Sequence, residues 1–129
     1  MNKSIKFEIV TGINKGYFHN NESGNNIQRV SKLWQKIAKE EFDRSGIYVS
    51  AIILESKTVY NEDWGCPPGG EDTVVITGVA NLEFVDNLSH WKDTVLNLAK
   101  KIKSKLEQKT ITCEFRDVEM RYIKDNSKQ

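Results

Sequence analysis

Residues 5 to 13 alternate in polarity, with Ile5, Phe7, Ile9 and Ile13 on one side and Lys6, Glu8 and Val10 on the other. A period of two predicts a half-buried strand. The polar stretch NKGYFHNNESGNN follows and reads as a long loop. Ile27, Val30, Leu33, Trp34, Ile37 and Ala38 then share one helical face, which predicts an amphipathic helix starting after Asn25 or Asn26 and stopping near Gly46. Residues 47–60 and 73–84 are rich in β-branched side chains and predict a second and a third strand. Trp91, Val95, Leu98, Ala99, Ile102 and Leu106 repeat at helical spacing and place a second helix over 88–107. TITCEFRDVEMRYI predicts the fourth strand.

The order βαββαβ predicts an α+β fold of the ferredoxin-like kind, a four-stranded antiparallel sheet with two helices on one face. One domain is expected over residues 1–124, with 125–129 as a flexible tail. The last strand carries an irregularity. Ile111, Cys113 and Phe115 have one parity, whereas Val118, Met120 and Tyr122 have the other. A strand that changes phase implies a bulge near Arg116 and Asp117, or a segment that leaves its sheet as an additional C-terminal strand packed elsewhere. The second and third strands are apolar on both faces, and a second subunit is the expected cover.

Composition narrows the functional classes without choosing among them. The chain has 129 residues, with 38% hydrophobic and 29% charged positions, which suits one globular domain with its own core. No apolar run approaches the ~20 residues of a membrane span, and the N-terminus lacks the apolar core of a signal peptide. With two cysteines and no mark of export, a cytoplasmic protein with reduced thiols is expected. A net charge of +1 gives no general attraction to nucleic acid or to a membrane surface.

RNA-recognition domains share the βαββαβ order but stack bases on aromatic residues of the central strands, and TVVITGVA has none. Tautomerases of the macrophage-inhibitory-factor type use a proline exposed after methionine removal, whereas position 2 is Asn2. His19, His90, Cys66 and Cys113 lack the short spacings of a metal site, and no nucleotide-binding glycine motif occurs, so neither metal nor cofactor is expected.

The stretch NEDWGCPPGGE, residues 61–71, is unusual for a connection between strands. Pro68 followed by Gly69 suits the central positions of a type II turn. In the expected topology this loop shares a sheet edge with the loop after the first strand and the end of the second helix. His19, Asn20, Asn21, Asn25, Asn26, Trp64, Cys66 and Gln108 are therefore expected there. His19, Asn26, Trp64, Cys66 and Glu71 are the candidate ligand-binding residues, with Trp64 as a lid on the sheet end or as a pocket wall. The N-terminus of the first helix would favour an anionic group. The open sheet face, with Lys6, Glu8, Glu114 and Arg116, is a second candidate surface. These features lead to an expected oligomeric, non-catalytic binding protein for a small polar or anionic molecule or a partner protein. The alternative is a small cofactor-free enzyme at the loop edge, with a Cys66–His19 pair as its chemistry.

Overall fold

The computed structural model describes residues 2–13 and 26–125. Strand β1 (Lys3–Gly12), helix α1 (Asn26–Ser45), strands β2 (Ile52–Thr58) and β3 (Glu71–Val79), helix α2 (Leu88–Lys105) and strand β4 (Thr112–Glu119) follow in that order. The four strands form one antiparallel sheet in the order β2-β3-β1-β4. This is the ferredoxin-like arrangement that the alternation of strand and helix periods predicts. No helix among the described residues is long and apolar enough to cross a membrane.

Each element ends for a local reason. Gly46, at φ 82°, turns the chain out of α1, a conformation glycine adopts without a Cβ penalty. Asn87 caps α2 by accepting a hydrogen bond from the His90 amide. The predicted third strand stops early, because Asn81 carbonyl accepts from the amides of Phe84 and Val85 and closes a turn there. The second strand is likewise shorter than its apolar composition suggests. Val49 is buried without belonging to the ladder, and the Trp34 indole donates to its carbonyl at 3.0 Å.

The core lies between the helices and one sheet face. Phe7 and Ile9 of β1, Val74 and Ile76 of β3, Val30 and Ile37 of α1, and Val95, Leu98 and Ile102 of α2 are fully buried in it. Phe7 stacks against Trp34 at 5.9 Å between ring centroids and meets Trp91 at 5.7 Å. Its ring lies over Gly78, its cross-strand neighbour. A Cβ at Gly78 would come within 2.6 Å of the Ser50 carbonyl oxygen and 2.9 Å of the Phe7 ring. Gly78→Ala is therefore expected to cost about 1–3 kcal/mol through overpacking, measurable as a lower urea midpoint at unchanged slope.

A buried carboxylate ties the two helices together. Glu41 of α1 is 1% exposed and forms ion pairs with Arg44 and, at 3.2 Å, with Lys101 of α2. Asn97 adds a hydrogen bond at 3.3 Å. Burial by itself raises the pKa of Glu41, but the bonds from Arg44, Lys101 and Asn97 overcome it and hold the carboxyl below its ordinary value. The charge is thus paired where it would otherwise be costly.

The phase change in the last strand has a different origin from the two expected. Pairing of β4 with β1 runs unbroken from Val10–Thr112 to Lys3–Glu119, so there is no bulge at Arg116 or Asp117. No additional strand follows among the described residues; Met120 donates its amide to Asn2. As an edge strand, β4 can carry exposed Asp117 on the helix side beyond the reach of the core, and Val118 beside buried Ser4 on the other side.

Candidate active-site cleft

The register assigns one set of side chains to the sheet face opposite the helices. Lys6 pairs with Arg116, Glu8 with Glu114, Val10 with Val75 and Thr112, and Gly12 with Thr73. Ser56 pairs with Thr73 and Thr58 with Glu71 in the neighbouring ladder. At one end of this face the chain builds a cleft of about 760 Å³. Its walls come from the ends of β1 and β2, the start of β3 and the segment from Glu107 to Thr112.

Helix α2 stops in a way that creates one wall. Glu107 takes φ 54°, the Glu107 amide donates to Ser104 and the Gln108 amide donates to Lys103. This is a Schellman closure with a non-glycine residue at the left-handed position. Such a position is disfavoured for a side chain and is tolerated here at the rim of the cleft. It swings Gln108 towards the end of β1. The Gln108 Nε2 donates to the Leu106 carbonyl at 2.9 Å, which leaves Oε1 facing inward.

Glu71 forms the facing side. The Tyr60 hydroxyl donates to Glu71 Oε1 at 3.1 Å. Beneath lies a cluster of hydroxyls, with Ser56 Oγ 2.7 Å and Thr58 Oγ1 3.1 Å from Thr73 Oγ1. Gly12 makes the arrangement possible. A Cβ there would lie 2.4 Å from Gln108 Oε1 and 2.7 Å from Glu71 Oε2, so these two side chains close over bare backbone.

The 61–71 stretch holds the site from behind. Asn61 caps a single 3-10 turn, Glu62–Trp64, and Gly65 at φ 107° ends it. Gly70 then donates its amide to Pro67 at 2.9 Å, with Gly69 at φ 86°, which is the type II turn expected from Pro68–Gly69. The Cys66 thiol is 5% exposed; it accepts from the Tyr60 amide at 3.4 Å and donates to the Pro67 carbonyl at 3.3 Å. Its place is inside the turn, fixing the backbone of Tyr60, and not on the cleft wall. The Cys113 thiol lies beside Ile9 in the register, and burial pushes its pKa up.

The predicted residues thus divide. Glu71 lines the cleft, and so does Gln108, which was expected at this edge. Asn26 begins α1, and His19, Asn20, Asn21 and Asn25 lie outside the described residues. Trp64 is neither a lid nor a cleft wall: it is 74% exposed and projects from the 3-10 turn. Trp64→Ala is accordingly expected to change stability by less than about 0.5 kcal/mol, in place of the loss of about 3 kcal/mol that a buried lid would give; chemical denaturation checks it.

Tyr60, Gly12, Ser56, Thr58 and Thr73 were not anticipated. Their signal was parity: Ser56 and Thr58 on one strand with Tyr60 two residues beyond, and Glu71 and Thr73 on the next strand, continue a polar run at alternate positions.

Comparison with known proteins gives a consistent picture. Solved structures that share the fold include two with a TM-score of 0.60. One is a phage SAM lyase in complex with S-methyl-5'-thioadenosine, 17% identical, with 94% of this chain and 93% of that chain covered. The other is a phage SAM lyase in its apo state, 16% identical, with 96% and 95% covered. Comparison with curated proteins gives no match. The sequence model of the SAM lyases matches residues 2–124, nearly the whole chain, and the protein belongs to the SAM lyase family.

Proposed function

We propose that this protein cleaves S-adenosylmethionine and releases S-methyl-5'-thioadenosine in the cleft around Glu71. The observation that carries the reading is the family match over residues 2–124. The related phage enzyme with S-methyl-5'-thioadenosine bound supports the product. An enzyme of this family fits the cofactor-free alternative better than a non-catalytic binding protein. S-adenosylmethionine would enter as substrate, not as a resident cofactor.

The charges of the cleft suit that substrate. S-adenosylmethionine carries a sulfonium, an ammonium and a carboxylate; Glu71 and Glu107 offer negative charge and Lys109 positive charge on the lining. Apolar Val10 and Ile111 supply surface for the nucleoside.

Forming the thioether requires breaking the sulfonium–Cγ bond with its electron pair returning to sulfur. The four-carbon remainder can be completed by its own carboxylate oxygen bonding to Cγ, closing a five-membered lactone with no proton transferred. Elimination would instead need a base able to remove an unactivated Cβ proton. The described lining offers no histidine or cysteine for that task; Glu71 and Glu107 are weak bases, the Tyr60 hydroxyl is engaged with Glu71, and Lys109 carries a positive charge. Internal displacement is therefore the favoured route. It joins a carboxylate to a sulfonium and so disperses charge in the transition state, which a water-poor site assists.

The purified protein incubated with S-adenosylmethionine should yield methylthioadenosine and homoserine lactone by mass spectrometry. In heavy-oxygen water the label should be missing from lactone trapped before it opens. Absence of methylthioadenosine would refute the activity, and vinylglycine would refute the route.

Self-association belongs to the same proposal. Ile52 and Leu54 are 62% and 50% exposed on the open sheet face, at the β2 end of the rows Thr77–Glu8–Glu114 and Val75–Val10–Thr112. A second copy would cover them, and light scattering at micromolar concentration tests it.

A further inference from the structure

The net charge of +1 conceals a division of charge along both helices. From Asn26 to Lys39, α1 carries Arg29, Lys32, Lys36 and Lys39 and no carboxylate; its acidic residues, Glu40, Glu41 and Asp43, all follow. From Thr94 to Leu106 the chain carries four lysines and no carboxylate, whereas Asp93 lies near the start of α2. The topology brings these two basic halves to the same end of the fold. Arg29 donates to the carbonyl of Ile13, just past β1, and Gln108, just past α2, lies over Gly12 at the end of β1.

Helix stability accounts for only one of the two. Lysines in the last turns of α2 complement the negative end of its dipole. Arg29 and Lys32 stand near the start of α1, where the backbone amides are already positive and carboxylates are the stabilising residues. The first turn of α1 has no acidic residue. Most of these cations also lack a counter-ion. Lys101 pairs with Glu41, and Lys39 with Asp43. Among the described residues, Lys32, Lys36 and Lys100 are exposed and make no ion pair, and Arg29 gives its bond to a neutral carbonyl. Arg29, Lys32 and Lys36 follow the i, i+3, i+7 spacing of a single helical stripe. Like charges gathered without partners attract a polyanion locally, whatever the charge of the whole molecule.

The surface around them selects among polyanions. Helices that lie on a membrane insert large apolar side chains beside their basic residues. In the two basic halves only Ile27 and Leu96 emerge, at 39% and 38% exposure. A protein partner would need an apolar anchor, which the same surface does not offer. Neither half exposes an aromatic ring, since Trp34 is buried, so unpaired bases have nothing to stack on. A regular backbone of phosphates needs only the cations.

We propose that the outer helix layer, at the end where α1 begins and α2 stops, holds the phosphate backbone of duplex nucleic acid without reading its sequence. The cleft opens on the opposite face of the sheet, so the two activities do not compete for surface. Self-association through the open sheet face would likewise leave the helix layer accessible.

Fluorescence anisotropy of a labelled duplex of about 20 base pairs, titrated with the full chain between about 50 and 200 mM salt, tests the proposal. Contact with about four phosphates gives a slope near −3.6 in log K against log salt, a loss of roughly a hundredfold over that range. Duplexes of unrelated sequence should bind within about twofold of one another. The double variant Lys32→Gln, Lys36→Gln should reduce the slope by about two and weaken binding at least about tenfold at the lower salt. Its melting temperature and its cleavage of S-adenosylmethionine should match the wild type. Lys3→Gln combined with Lys124→Gln removes the same net charge at the far end of the fold, and should leave duplex binding within about twofold. Absence of binding at the lower salt would overturn the proposal. So would an unchanged slope in the helix variant, or equal weakening in both double variants, which would reduce the effect to net charge. Polyglutamate or phosphatidylglycerol vesicles that displace the duplex at equal charge concentration would overturn the choice of partner.

Discussion

Glu71→Gln should leave the protein folded and reduce cleavage of S-adenosylmethionine by about a hundredfold or more. The substitution keeps the length of the side chain and an oxygen for the Tyr60 hydroxyl, which donates to Glu71 Oε1 at 3.1 Å. It removes the negative charge that faces Gly12 and Gln108. Hydrogen bonds to charged groups are worth about 1.5–3 kcal/mol, so losing the charge-assisted contact alone accounts for roughly ten- to hundredfold. Misplacement of the reacting carbon relative to the carboxylate adds to this, since internal displacement depends on alignment. Single-turnover cleavage, with a denaturation curve on the same sample, checks both halves. A variant with wild-type turnover would remove Glu71 from the site. A variant with a collapsed urea midpoint would show that Glu71 is chiefly structural.

The largest loss of stability is expected at Phe7→Ala, about 3–5 kcal/mol. Phe7 is completely buried on the central strand β1 and touches both helices through Trp34 and Trp91. Removing its ring would forfeit two aromatic contacts, worth about 0.5–1.5 kcal/mol each beyond area burial. It would also leave a cavity that Gly78, opposite it in the ladder, has no side chain to fill. A small domain is stable by only about 5–15 kcal/mol, so the melting temperature should fall by roughly 10 °C or more. A fall of only a degree or two would show that the helices close over the gap. The site should tolerate Phe7→Ala at low temperature, because Phe7 faces the helices while the cleft opens on the opposite face.

The sequence by itself determined the elements and the core. Period-two and period-3.6 patterns depend on which side chains leave water, and burial obeys the same geometry in the fold. Phe7, Ile9, Trp34, Trp91 and Leu98 therefore lie where the pattern places them. The type II turn at Pro68 and Gly69 was equally legible, because φ preferences are local. Glu71 and Gln108 could be assigned to one sheet edge from element order alone.

Local pattern could not determine what the loop residues do. Trp64 and Cys66 are chemically conspicuous types, yet Trp64 projects into solvent and the Cys66 thiol bonds to backbone inside its own turn. The irregular parity of β4 is an edge strand passing beyond the core, a fact that depends on where the helices end. The cleft is also tertiary. Gly12, Tyr60, Glu71 and Gln108 are ordinary residues far apart in sequence, and their convergence follows from ladder register and from the left-handed turn at Glu107. Hydrogen-bond geometry is a property of positions in space. Only the folded chain sets an inward-facing carboxylate and an inward-facing amide oxygen above the same bare glycine.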